Sequence, residues 1–194
     1  KDDSSFDSPR TAESESTTAV QIIPISPDGP DEILDDIWLT TIYRAKSRVW
    51  IMTPYFVPPP TAMGALMAAA RRGVDVRVMC PLNSDIAPAD LARHDYVEEL
   101  SQAGSRILLY PDRMVHAKMI LIDREVAFIG SANFDMRSFL LNYELTVAVF
   151  GEREVLQMAE WFENLSQHCV EGPIESTWQR RGLRVLTRVF AEEL

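Results

Sequence analysis

Three apolar runs, residues 115–122, 126–130 and 143–150, follow one another with no helical stretch between them. Upstream the chain does the opposite. Strand-like runs at 20–25, 49–53, 74–80 and 106–110 alternate with helical patterns at 31–45, 61–72 and 89–103. Alternation of that kind builds parallel strands joined by helical crossovers. The Asp123-Arg124-Glu125 connection is too short for a crossover, so 115–122 and 126–130 read as an antiparallel hairpin. The expected fold is therefore α/β with a mixed sheet. Element ends are marked by Pro54, Gly73, Pro81, Gly104 and Pro111. Ile33, Leu34, Ile37, Trp38 and Ile42 share one face of the first helix. Val155, Leu156, Met158, Ala159 and Phe162 turn inward on a helix over 152–168, and a last helix is expected at about 177–193.

Residues 1–18 are rich in Ser, Thr and acids and read as a disordered tail or linker, leaving 19–194 as one domain. The chain of 194 residues is long enough for one sizeable core. Its net charge of −10 disfavours a nucleic-acid partner, which requires a basic surface to displace counterions. Cys80 and Cys169 sit in unlike contexts and read as two reduced thiols. No initiator Met, signal peptide or bilayer-length apolar run is present, so the chain reads as a piece of a longer protein.

Within the hairpin lies a set of groups that a core strand has no packing reason to carry. His116 and Lys118 are two apart, hence on one face of a strand, beside the apolar run Met119-Ile120-Leu121-Ile122. An imidazole can attack phosphorus or protonate a leaving alkoxide, and an ammonium can hold a non-bridging phosphate oxygen. Ser131 and Asn133 follow Gly130, in a turn whose hydroxyl and amide can bond a phosphate. Glu144 has apolar neighbours (Leu145, Val147, Val149) and either receives the second ring N–H of His116 or faces water as a strand-end carboxylate. For Asp123, at the hairpin corner, a turn or ion-pair role has at least as much support as a catalytic one. Metal chemistry finds little support: His94, His116 and His168 lack partners at recognised ligand spacings. A Ser-His-Asp hydrolase would need a Gly-x-Ser-x-Gly elbow, which is missing.

Two weaker features flank this set. Tyr55 and Phe56 follow a strand end, where they either line an acyl or glycerol channel or pack on a neighbouring helix. Arg180, Arg181, Arg184 and Arg188 lie among Trp178, Leu183, Leu186, Val189 and Phe190. A helix of that pattern either meets an anionic membrane surface or docks on its own domain.

The string His116-x-Lys118-x4-Asp123-x6-Gly130-Ser131-x-Asn133 resembles the HKD motif of the phospholipase D superfamily. Thr53-Pro54-Tyr55-Phe56-Val57-Pro58, Arg72-Gly73-Val74-Asp75-Val76 and Asn133-Phe134-Asp135-Met136-Arg137-Ser138, with Asn142-Tyr143-Glu144, are similar to the C-terminal lobe of bacterial cardiolipin synthases. The resemblance implies a single phospholipase D-like lobe, a mixed central β-sheet flanked by helices on both faces, that works opposite a second one, without metal or cofactor. One histidine forms a phosphohistidine and the other protonates the leaving alcohol. It further implies that phosphatidylglycerol is both donor and acceptor and that the enzyme is peripheral on the cytoplasmic membrane. His116, Lys118, Ser131 and Asn133 match the family's phosphate-site positions, Glu144 its histidine-orienting glutamate, and Asp123 its usually structural aspartate.

A second His-x-Lys does not occur: Asp95-Tyr96 follows His94, and Cys169-Val170 follows His168. The chain thus holds half of a two-motif site, and needs either an N-terminal HKD lobe or a homodimer partner. Two other readings remain open at this level. One is a phosphodiesterase or nuclease working as a homodimer through its single motif. The other is a regulatory lobe, against which stands the intact ionisable set.

Overall fold

The structure, a computed structural model, describes residues 18–28 and 33–173. The tail over 1–17 and the last helix expected at 177–193, with its four arginines, lie outside the described residues. In chain order the elements are β1 (Val20–Ile25), α1 (Ile33–Arg44), β2 (Arg48–Met52), β3 (Phe56–Val57), α2 (Pro60–Arg71), β4 (Asp75–Pro81), α3 (Ala87–Gln102) and β5 (Arg106–Tyr110). They continue with β6 (Met119–Ile122), β7 (Val126–Gly130), β8 (Phe134–Asp135), α4 (Met136–Leu140), β9 (Glu144–Val149), α5 (Glu152–Ser166) and β10 (Val170–Gly172).

Eight strands form one sheet in the order β1-β9-β7-β6-β2-β4-β5-β10. The α/β-derived part, β2-β4-β5, is parallel, and β6, β7, β9 and β1 extend it as antiparallel strands. Strand alternation divides the core between the two faces. Val49, Ile51, Val76, Val78, Ile107, Ile120 and Phe128 pack under Leu34, Trp38 and Ile42 of α1, Leu66 and Ala69 of α2, and Leu100 of α3. Trp50, Met52, Met79, Leu108 and Leu121 pack under Val155, Ala159 and Phe162 of α5, with the Trp50 and Phe162 rings stacked at 5.0 Å. The mixed sheet is thus as the alternation and the short hairpin imply, and the helices on both faces are as the resemblance implies.

The differences from expectation have local causes. The run 115–122 forms a strand only from Met119. Its partner β2 ends at Met52, just before Pro54, so residues 115–118 have no ladder on that side. They continue as extended chain, tied on the other side by Gly130 N–H donating to the Lys118 carbonyl at 3.3 Å. The loop after β2 contributes β3, which pairs in parallel with β8 through Phe56 and Phe134. Two-residue strands leave no periodic trace in a sequence. The same holds for α4, five residues started by Asp135, whose carboxylate caps it by accepting from Ser138 N–H at 2.9 Å. β10 adds to the β5 edge in antiparallel register.

Because β6 runs antiparallel to β2, residues just before Met119 lie at the carboxyl end of β2 and β4. Ser131 follows the end of β7, and Glu144 opens β9. The topology therefore brings His116, Lys118, Ser131, Asn133 and Glu144 to one end of the sheet. Asp123 is at the other.

Candidate active site

Lys118 is half-buried and His116 exposed. The Lys118 ammonium donates to the His116 carbonyl at 2.9 Å and lies 3.2 Å from His116 Nδ1. An ammonium has no acceptor, so Nδ1 accepts and a neutral ring carries its proton on Nε2. Burial lowers the Lys118 pKa from its ordinary value, and the charges of Glu144 and Asp135 oppose that shift.

Glu144 is the hub of the neighbouring network. It accepts from the Ser131 hydroxyl, from Ser138 Oγ at 3.0 Å and from Asn142 Nδ2 at 3.1 Å. Ser131 Oγ in turn accepts from Leu145 N–H at 2.9 Å, and Ser131 N–H donates to the Leu145 carbonyl at 3.0 Å. That approach requires glycine at 130. A Cβ there would stand 2.1 Å from the Leu145 carbonyl oxygen and 2.9 Å from Thr146 Cα. The expected bond from the His116 ring to Glu144 is not among these contacts; Lys118 holds the ring instead, and Glu144 holds Ser131.

Asn133 places its N–H on Ser138 Oγ at 3.0 Å and its side chain on Asp135. Its Oδ1 is buried and has no partner among the described residues. Asp135 is buried, and burial raises its pKa above the ordinary carboxylate value although Ser138 and Asn133 bond it. Phe134 N–H donates to Thr53 Oγ1 at 3.1 Å, which ties the Ser131–Asn133 turn to the end of β2. Thr53, Asp135, Ser138 and Asn142 support the site without belonging to the His-x-Lys pattern. All four lie in the segments that carry the family resemblance, and the Asp-x-x-Ser spacing over 135–138 is in addition an N-cap pattern.

Asp123 is not part of this cluster. Its carboxylate accepts from Lys46 N–H at 2.9 Å, Ser47 N–H and Oγ at 2.7 Å each, and Arg48 N–H at 2.9 Å. Four β6 residues separate it from Lys118, a span of roughly 15 Å. It is an anchor for the α1–β2 connection rather than a catalytic group. Burial works to raise its pKa, yet the bonds from Arg48, Lys46 and Ser47 outweigh it and hold the group below its ordinary value. Its positive φ of 51° suits the tight hairpin corner.

Phe56 does not line a channel. It is fully buried and stacked on Phe134 with centroids 5.6 Å apart, because β3 pairs with β8 over the first helical layer. Tyr55 is half-buried, and its hydroxyl donates to Asp85 at 2.6 Å. Burial, then that bond, pushes its pKa up to about 12. Both cysteines are free thiols; burial lifts Cys80 to about 12 and Cys169 to about 11, which leaves them unreactive. Against expectation from spacing, His94, Asp95 and Glu98 of α3 bring potential ligand atoms within 4.8 Å of one another.

The arrangement supplies an imidazole with a free N–H, a cation fixed beside it, a hydroxyl and an amide. Such a set can bind a phosphodiester and, once the imidazole has taken up a proton, give one to its leaving oxygen. Residues 38–166 match the family described as "Cardiolipin synthase, PLD-like domain". Cardiolipin synthase 1 of Bacillus cereus is 36% identical over 166 residues, covering 86% of this chain and 32% of that protein. Cardiolipin synthase A of Serratia proteamaculans is 36% identical over 137 residues, covering 71% and 28% respectively. The chain thus spans about a third of the length of these relatives. In fold it is similar to Nuc, a phospholipase D family member from Salmonella typhimurium, with a TM-score of 0.68, 24% identity, and coverage of 81% of this chain and 100% of that one. It is also similar to phosphatidylserine synthase of Haemophilus influenzae, with a TM-score of 0.70, 17% identity, and coverage of 90% and 47%.

Proposed function

The chain belongs to the family of cardiolipin synthase, phospholipase D-like domains, and on that premise we propose that it is the C-terminal lobe of a phosphatidyltransferase that joins two phosphatidylglycerols into cardiolipin. The observation that carries this reading is the Lys118–His116 contact, which sets an imidazole and a cation side by side at the site end of the sheet. The Ser131–Glu144 network stands beside it. In this reading a second His-x-Lys lobe, from the parent chain or a second copy, faces His116 across the phosphodiester.

The partner histidine attacks phosphorus through its ring nitrogen, and the P–O bond to glycerol breaks. His116, having taken up a second proton on Nδ1, acts as the imidazolium: it gives its Nε2 proton to the leaving glycerol oxygen and is left as a neutral base. The hydroxyl of a second phosphatidylglycerol then returns a proton to His116 as its oxygen attacks phosphorus. The P–N bond breaks and cardiolipin leaves. With Nδ1 protonated, the Lys118 N–H that faced it turns to a non-bridging oxygen and offsets its charge, Asn133 adds a neutral donor, and Ser131 adds another once its hydroxyl turns from Glu144. Where two copies of this chain pair, their two His116 residues divide these roles.

Support for a docked second lobe comes from the surface around Glu144. Leu140, Leu141, Tyr143 and Leu145 are 49%, 59%, 70% and 49% exposed, four exposed apolar side chains close to Glu144 in the chain. Among the described residues no helix is long and apolar enough to cross a membrane. In the proposed enzyme Arg180, Arg181, Arg184 and Arg188 meet anionic lipid from a peripheral position on the cytoplasmic membrane.

Product identity tests the proposal. With labelled phosphatidylglycerol vesicles and a second His-x-Lys lobe supplied, the products should be cardiolipin and free glycerol. Phosphatidic acid alone would assign a phosphodiesterase, and salt-sensitive DNA cleavage a nuclease.

A further inference from the structure

Two deeply buried polar atoms beneath the site have no partner among the described residues: Trp38 Nε1 and Thr146 Oγ1. Their residues are 3% and 2% exposed. Trp38, on α1, is fixed by stacking on Phe134 at 5.5 Å and by an edge contact to Phe139 at 5.2 Å. Thr146, on β9, lies two residues from Glu144 and opposite Gly130 of β7. Both line one cavity, whose remaining wall is largely apolar (Ile51, Phe128, Phe134) and which Lys118 also lines. An orphaned indole N–H and an orphaned hydroxyl in one apolar chamber are each costly when dry. The volume open to the centre of a water molecule is about 10 Å³. That suits one water and is too small for glycerol or phosphate.

We propose that this cavity is a fixed water site, and that Trp38 and Thr146 hold there a single water that positions Lys118. The water accepts from the indole N–H, exchanges a bond with the Thr146 hydroxyl, and accepts the third N–H of the Lys118 ammonium. The other two ammonium donors face His116 O and Nδ1. The ammonium then has a fixed partner on its protein side, so it stays beside His116 before any phosphate arrives. Trp38 and Thr146 are thus positioning residues that act through Lys118. This inference concerns the chain itself and stands whichever phosphodiester the site takes.

The test compares the chain with its Trp38→Phe, Thr146→Val and double variants. Thr146→Val keeps shape and deletes one hydroxyl, so the midpoint is read on it; Trp38→Phe also empties ring volume and is read through the Lys118 titration. Three readouts are taken: the cross-relaxation of water with the Trp38 indole proton, the thermal midpoint, and the NMR titration of Lys118 Nζ. With a bound water, the wild-type indole proton shows a long-lived water contact. Thr146→Val lowers the midpoint, and each single variant moves the Lys118 titration to lower pH, the double variant little further than the larger single. A dry cavity has the opposite signature: no water contact, and a Thr146→Val midpoint that rises because an orphaned hydroxyl has been removed. An unmoved Lys118 titration alongside a confirmed water would overturn the positioning role.

Discussion

Lys118 Nζ stands 2.9 Å from the carbonyl oxygen of His116 and 3.2 Å from its Nδ1. One cation thereby fixes the residue that precedes it by two and selects the tautomer of its ring. The ion is held at a cost, since burial lowers its pKa.

That cost has a sign in pH. Below the folded pKa both states are charged and the full penalty is present. As pH rises through the folded value toward the unfolded one near ~10.4, the native state releases its proton first. The unfolded chain then binds more protons, so stability increases with pH over that window. Lys118→Met should be at least as stable as the wild type at neutral pH, flatten that alkaline increase, and lower transfer by about 10²-fold or more. Urea unfolding from about pH 7 to 11 compares the two chains; an alkaline rise of equal size in both would contradict this.

Asp123 gives the reverse case. Its folded pKa lies below the unfolded one, so its contribution is present above ~3.9 and is lost as pH falls through the folded value. Asp123→Asn keeps the positive φ accessible but loses charge-assisted acceptors. It should cost about 1.5–3 kcal/mol at neutral pH, show a shallower acid limb, and leave the Lys118 titration in place. A catalytic defect at unchanged stability would return Asp123 to the site.

Gly130 and Gly64 separate close approach from mere flexibility. A Cβ at Gly130 meets the Leu145 carbonyl at 2.1 Å, whereas one at Gly64, mid-way along α2, meets nothing within 4 Å. Gly130→Ala should destabilise by about 1–3 kcal/mol and release the Ser131–Glu144 bond. Gly64→Ala should stabilise by about 0.5–1 kcal/mol. Denaturant midpoints of the two variants moving in the same direction would be inconsistent with the strand contact described.

Phe56 and Tyr55 are neighbours with opposite roles. Phe56→Ala should cost about 3–5 kcal/mol, since it empties a ring-sized space against Phe134. Tyr55→Phe loses only an exposed bond to Asp85 and should change stability by less than about 1 kcal/mol. Its effect on KM then reports whether Tyr55 faces substrate. A mild Phe56→Ala variant would contradict the buried stack.

Much of this was legible from residue order. Strand and helix alternation, Pro and Gly punctuation and the short 123–125 connection set the mixed sheet, and the β1 and β7 spans need no correction. The His-x-Lys and Gly-Ser-x-Asn segments identify the site end because strand polarity carries both there. Illegible were features fixed by distant partners. β3 and β8 exist only as each other's partner, which turns Phe56 from wall to core. Asp123 looks like part of a catalytic string, yet the amides it serves lie 75–77 residues upstream. The hydrogen bonds of Glu144 depend on Ser138, placed by a five-residue helix.

The central claim is that this chain carries half of a phosphatidyl-transfer site. Cardiolipin formation from labelled phosphatidylglycerol, measured across a dilution series with the oligomeric state followed in parallel, tests it most directly. The account predicts no transfer from the monomer, and transfer that tracks the complex with a second His-x-Lys lobe or copy. It also predicts loss of that activity in His116→Ala and weaker association in Leu141→Glu. Robust cardiolipin synthesis by a strictly monomeric chain would contradict it.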